Sequence, residues 1–120
     1  MKELRMGELE ERFANIIWEN EPIYSGELSK LAFEALNWKK TTAFTVLHKL
    51  CEKGIVQNNH GTVTSILSKD EYKARRSEQF VEKTFNGSLP AFVAAFTTKK
   101  QLSKEEIAEL RRMVDEFEGK

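Results

Sequence analysis

Residues 37–50, NWKKTTAFTVLHKL, hold the side chains with the clearest chemical use in this chain. Ala43, Val46, Leu47 and Leu50 stand at i, i+3, i+4 and i+7, one apolar side of a helix. Thr41, Phe44, Thr45 and His48 fall on the other side, with Thr42 beside them. Lys40 and Lys49 flank that side and Lys39 stands at its start. Threonine hydroxyls donate or accept hydrogen bonds at base edges, and threonine methyls and aromatic rings pack on thymine methyls. Lysines reach phosphates or guanine edges, and the major groove of a duplex admits one helix. A solvated polar face would explain the lysines alone. It explains the threonines less well, since threonine is a poor helix former and capping accounts for only one of the three. Phe44 sits opposite the core stripe, so it must touch something, whether a partner or the underside of a neighbouring hairpin.

These residues need elements to position them. Leu9, Phe13, Ile16 and Ile17 predict a first helix over residues 7–19, stopped by Asn20 and Pro22. Ile23 and Tyr24 suffice for only a very short strand. Ser25 is expected to cap a second helix that buries Leu28, Leu31, Ala32 and Ala35. Asn37 is expected to cap the third helix, and Gly54 ends it. Ile55-Val56, a four-residue turn Asn58-Asn59-His60-Gly61 and the β-branched TVTSIL (62–67) predict a hairpin. Three helices followed by a hairpin give the order of a winged helix-turn-helix, with the hairpin as its wing. Ser68 and Glu71 form a capping box for a helix over about 69–84. Ser88 caps a short helix of about 88–98, and Ser103 with Glu106 forms a second capping box before a last helix.

The chain has 120 residues, 40% apolar and 32% charged, the composition of a globular domain. No apolar run has the roughly 20 residues of a membrane span, and MKELRMGELEE does not read as a signal peptide. With a single cysteine, Cys51, no internal disulfide forms, and a reducing cytoplasmic setting is expected. Net charge is zero, which argues against a general polyanion binder. Its distribution is uneven: residues 1–38 carry a net of −4, residues 39–80 a net of +4, and the remainder is balanced.

Other chemistries find little support. His48, Cys51 and Glu52 share one helix face, but structural zinc takes four ligands and His60 lies on the hairpin tip. No metal or cofactor is expected. There is no G-x-S-x-G, P-loop or dinucleotide fingerprint, and no convergent carboxylate pair, so no enzyme activity is expected. Trp18 and Trp38 read as core residues.

Residues 88–96, SLPAFVAAF, are apolar all round, and such a helix must be covered all round. Leu89, Phe92, Val93 and Phe96 form one stripe. The last helix adds Ile107, Leu110, Val114 and Phe117, and the preceding one Phe80 and Phe85. About 50 residues make a marginal core, so pairing with a second copy is the expected cover; docking back on the same chain is the alternative.

Three segments carry a family resemblance: IIWENEPIYSGEL (16–28), WKKTTAFTVLHKLCEKGIV (38–56) and GSLPAFVAAF (87–96) followed by LSKEEIAELRRMV (102–114). With them the chain resembles the penicillinase-repressor family, also called the BlaI/MecI/CopY family. The resemblance implies a mainly α protein with a small β-hairpin. Residues 1–68 would be a winged helix-turn-helix DNA-binding domain and residues 69–120 a helical dimerisation arm. It implies a bacterial repressor that binds a palindromic double-stranded DNA operator as a homodimer. Lys39, Lys40, Thr41, Thr42, Phe44, Thr45, His48 and Lys49 fall on the family's recognition helix. The wing, with Asn58, Asn59, His60 and Gly61 at its turn, departs from the pattern, because family wings are longer and more basic. The resemblance also implies relief of repression by a membrane sensor protease that cuts in the short apolar helix. The matching bond is Ala95-Phe96, where the family's Asn-Phe pair keeps its Phe. The copper-responsive branch has a cysteine-rich C-terminal motif that VDEFEGK does not match, so copper sensing by that route is not expected. The competing reading is a winged helix used for protein–protein contact, favoured by the weakly basic wing and the zero net charge.

Overall fold

The computed structural model describes residues 4–119. Among them are six helices and one three-stranded antiparallel sheet, a winged helix-turn-helix followed by further helices. The chain forms two compact units, Met1–Gln79 and Phe80–Lys120.

In the first unit, α1 (Glu8–Asn20) opens with Glu8, Glu10 and Glu11 in its first turn, where acidic side chains suit the helix dipole. Its core face is Phe13, Ala14 and Ile17. Leu9, expected on that stripe, is half exposed. Leu4 and Met6, upstream of the helix, join the core instead. Lys53, at the end of the third helix, holds this segment in place: its Nζ donates to the Arg5 carbonyl at 2.6 Å and pairs with Glu10 at 3.1 Å.

β1 (Ile23–Tyr24) leads directly into α2 (Ser25–Leu36). Ser25 is the first helical residue rather than its cap. Tyr24 occupies the cap position without a side-chain bond, and the Ser25 N–H donates to the Gly61 carbonyl at 2.7 Å. The hairpin backbone thus satisfies the first helical N–H, and no side chain caps the N–H groups that follow. The helix buries Leu28, Ser29 and Ala32, while Ala35 is exposed, contrary to expectation. Asn37 ends α2 instead of opening the third helix. It adopts the left-handed conformation (φ 58°) with its N–H on the Phe33 carbonyl. Asparagine tolerates that conformation better than most side chains, which moves the start of α3 (Lys40–Glu52) to Lys40.

β2 (Val56–Asn59) and β3 (Thr62–Ser65) form the wing, and β1 pairs with the other edge of β3. The turn is two residues, not four. Asn58 and Asn59 lie in the strand, and His60 (φ 52°) and Gly61 (φ 94°) turn the chain. Two positive φ values match the twist of a tight hairpin. The Gly61 N–H donates to Asn58 Oδ1 at 2.9 Å. Glu21 fixes the far end of β3, accepting from the Ser65 N–H and hydroxyl, each at 2.8 Å.

α4 (Lys69–Phe85) begins at the expected capping box. Its Tyr72 is buried with its ring 5.6 Å from that of Trp18, whose Nε1 donates to the Leu67 carbonyl at 2.9 Å. The first turns of α4 thus pack with the winged unit.

The second unit holds the end of α4, α5 (Leu89–Lys99) and α6 (Lys104–Glu118). Ser88 Oγ caps α5 by accepting from the Ala91 N–H, and Ser103 with Glu106 forms a full capping box for α6. Rings of Phe80, Phe85 and Phe92 meet edge to face at 5.7–6.0 Å. No described residue of α5 or α6 is buried.

The two capping boxes set a pH dependence. Bonds from the Ser68 and Ser103 N–H groups and hydroxyls hold the Glu71 and Glu106 carboxyls below their ordinary value of 4.5. A lowered folded-state value stabilises the fold above the unfolded-state value and loses that effect as pH falls through the folded one. Helical circular dichroism should therefore decline on acidification below about pH 4.5. In a Ser68→Ala, Ser103→Ala double variant that acid-dependent step should shrink.

Candidate nucleic-acid interface

One side of α3 is core and the other is open. Ala43, Leu47 and Leu50 are buried, and Val46 is half-buried. Lys39, Lys40, Thr41, Thr42, Thr45, His48 and Lys49 are all exposed. The side facing away from the interior is thus polar and bracketed by lysines.

Phe44 differs from its neighbours. It is half-buried and packs against the core cluster, so its cost in water is smaller than its place in the sequence suggested. Lys40 Nζ stands 5.8 Å from its ring centroid, a cation–π contact that holds the ammonium over the exposed part of the ring. Thr45 Oγ1 donates to the Thr41 carbonyl at 2.9 Å, one turn back. Its hydroxyl is engaged by its own helix, and its methyl is the group left to present. His48 Nε2 pairs with Glu52 Oε1 at 2.9 Å on the solvent side. That carboxylate tempers the positive charge at the C-terminal half of the face, and the pair engages two of the three side chains weighed as metal ligands.

The wing faces the same helix across a groove of about 470 Å³. Phe44, His48 and Cys51 line one wall, and Gln57 and Asn58 of β2 line the other. Burial pushes the Cys51 thiol up from 9.0, which keeps it protonated and unreactive. Asn59, His60 and Asn58 are exposed at the wing turn, and Gln57 Nε2 donates to Thr64 Oγ1 at 3.2 Å across the strands. Tyr24 stands beside this turn, paired with Thr62 and 68% exposed. Sequence reasoning passed over it, because two residues carry too little pattern to reveal that their strand joins the wing.

In the second unit, Phe80, Leu89, Val93, Phe96, Ile107, Leu110, Val114 and Phe117 are exposed, while Phe85 and Phe92 are half-buried. α5 and α6 enclose a groove of about 460 Å³ walled by Phe92, Val93, Phe96 and Leu110, with Glu105 and Glu109 at its rim. Ala95 and Phe96 lie within α5, both exposed. Among the described residues no helix is long and apolar enough to cross a membrane.

Comparison with known proteins agrees with this arrangement. Residues 6–116 match the family model described as penicillinase repressor. The chain is 31% identical over 110 residues to a penicillinase repressor of Bacillus licheniformis, covering 88% of this chain and 85% of that one. It is 25% identical over 118 residues to the methicillin resistance regulatory protein MecI of Staphylococcus aureus strain Mu50, covering 95% and 96%. A penicillinase repressor of Staphylococcus aureus is 25% identical over 113 residues, covering 88% and 87%.

Proposed function

This chain belongs to the penicillinase repressor family of bacterial transcriptional repressors, and we propose that it represses by binding a palindromic DNA operator as a homodimer. Residues 1–68 read the DNA and residues 69–120 pair the protomers. The observation that carries this reading is the open side of α3, polar and lysine-bracketed, opposite a core side that buries Ala43, Leu47 and Leu50. Thr41, Thr42 and the Thr45 methyl meet base edges in the major groove. Lys39, Lys40 and Lys49 neutralise phosphates. Phe44 and His48 stand at the wing side of the same helix, and the wing tip, Asn58 and Asn59 of β2 with the His60-Gly61 turn, approaches the adjacent backbone without a lysine or arginine.

Pairing is supported by the apolar side chains that α5 and α6 leave in water. A helix of that kind is stable when a second copy covers it. A twofold dimer then sets two recognition helices about one helical turn of DNA apart. Repression is relieved by a membrane sensor protease that cuts between Ala95 and Phe96. The cut detaches α6 and removes the surface that pairs the protomers. Proteases take extended segments, so α5 must open locally before the cut.

Fluorescence polarisation against the protein's own promoter region, at two salt concentrations, tests the DNA reading. Affinity should fall steeply with salt, because bound phosphates release counterions. Lys40→Ala should weaken all sequences alike and reduce the salt slope by about two, one lost phosphate contact in each protomer. Binding indifferent to salt would point to protein–protein contact instead.

A further inference from the structure

Among the described residues of the winged unit, Tyr24 is the most exposed large apolar side chain, at 68%. Backbone bonds hold it in place. Tyr24 pairs with Thr62 across β1 and β3, and the next N–H, that of Ser25, donates to the Gly61 carbonyl at 2.7 Å. The wing turn lies against it closely: a Cβ on Gly61 would stand 3.9 Å from both Tyr24 Cδ1 and Ser25 Oγ. Ser25, the next residue, lines a small pocket together with Ala43, Phe44 and Leu47 of α3. Tyr24 is therefore held beside the wing turn, one residue before a position that shares a pocket with α3. If α3 fills a major groove and the wing flanks it, a strand of the DNA backbone passes between those two elements.

The charges nearby narrow what Tyr24 can do. The wing strands and their turn carry no lysine or arginine. Of the neighbouring carboxylates, Glu21 is engaged by Ser65, and Glu27 is exposed in the first turn of α2. A neutral donor suits a phosphate at such a place, since it adds no negative charge and needs no cation. We propose that the Tyr24 hydroxyl donates a hydrogen bond to a phosphate oxygen of the operator backbone, at the step between the bases read by α3 and those under the wing. This inference rests on the DNA-binding reading above. The contact positions the protein on the duplex and reads no base.

Tyr24→Phe tests it, because the ring and its strand preference are kept and only the hydroxyl is lost. By polarisation, affinity should fall about 10- to 100-fold, the range of one hydrogen bond lost in each of the two protomers, equally for operator and unrelated duplexes. The salt slope should stay that of the parent protein, because a neutral donor displaces no counterion, and the melting temperature should not move. Lys40→Ala, run alongside, should reduce the slope. If Tyr24→Phe binds within twofold of the parent while Lys40→Ala weakens binding, the tyrosine contact is refuted and the DNA reading stands. A loss confined to the operator sequence would make Tyr24 a base reader and refute the phosphate contact. If the parent protein shows no salt-dependent DNA binding, both fall.

Discussion

A Val114→Asp variant should sediment as a monomer at micromolar concentration and bind operator DNA at least about 100-fold more weakly than the parent protein. Val114 lies on α6 and is 60% exposed within one protomer. Valine and aspartate have similar helix propensities. In an isolated protomer the exchange is thus a surface substitution, worth within about 0.5 kcal/mol. In a twofold dimer it enters the interface twice. Each copy then forfeits the burial of a valine, about 1.5–3 kcal/mol, before the desolvation of a carboxylate is counted. At about 1.4 kcal/mol per factor of ten, dissociation of the pair rises by two orders of magnitude or more. DNA affinity follows, because each protomer then holds its half-site alone. Sedimentation velocity and polarisation on the same sample measure both effects. A variant that remains dimeric would show that other surfaces pair the protomers.

The second large effect lies far from DNA. Phe13→Ala should destabilise the winged unit by about 3–5 kcal/mol, the range for deleting a buried aromatic ring. Small domains have about 5–15 kcal/mol in total, so the melting temperature should drop by about 15 °C or more. Phe13 is 0% exposed, and its ring centroid lies 5.2 Å from that of Trp38. Trp38 sits between the left-handed Asn37 and Lys39, where the chain turns into α3. Phe13→Ala should therefore lower DNA affinity even below its melting temperature, since the recognition helix loses the support of its first turn. Leu9→Ala is the control. Leu9 is half exposed on the same helix, and its loss should stay within about 0.5 kcal/mol. Equal effects of the two substitutions would contradict the observed core.

The contrast between Phe13 and Leu9 shows how far the sequence could be read. Periodicity identified α1 and α3 and the apolar side of each, because long stretches repeat the signal. It placed Leu9 in the core because it reads only within a helix. Leu4 and Met6 join that core from an irregular segment, for which no period exists. End residues were misread for a related reason. Asn37 and Ser25 are common caps, but Asn37 also tolerates a positive φ and closes α2, while the N–H of Ser25 is taken by the wing turn. The hairpin was legible in its β-branched residues, yet His60 gave no sign of the positive φ it adopts. The open side of α3 was readable residue by residue, except for Phe44, whose ring is half covered by groups from elsewhere in the chain. The capping boxes at Ser68 and Ser103 were the most legible features, since all their partners lie within four residues.

The lack of any buried residue in α5 and α6 bears on how repression responds to gene dosage. Where the arms are completed only by association, the active species grows with the square of the protomer concentration when the protein is scarce. Halving the protomer concentration would then cut operator occupancy by more than half. A modest change in synthesis or turnover would become a steeper change in transcription, with no effector bound.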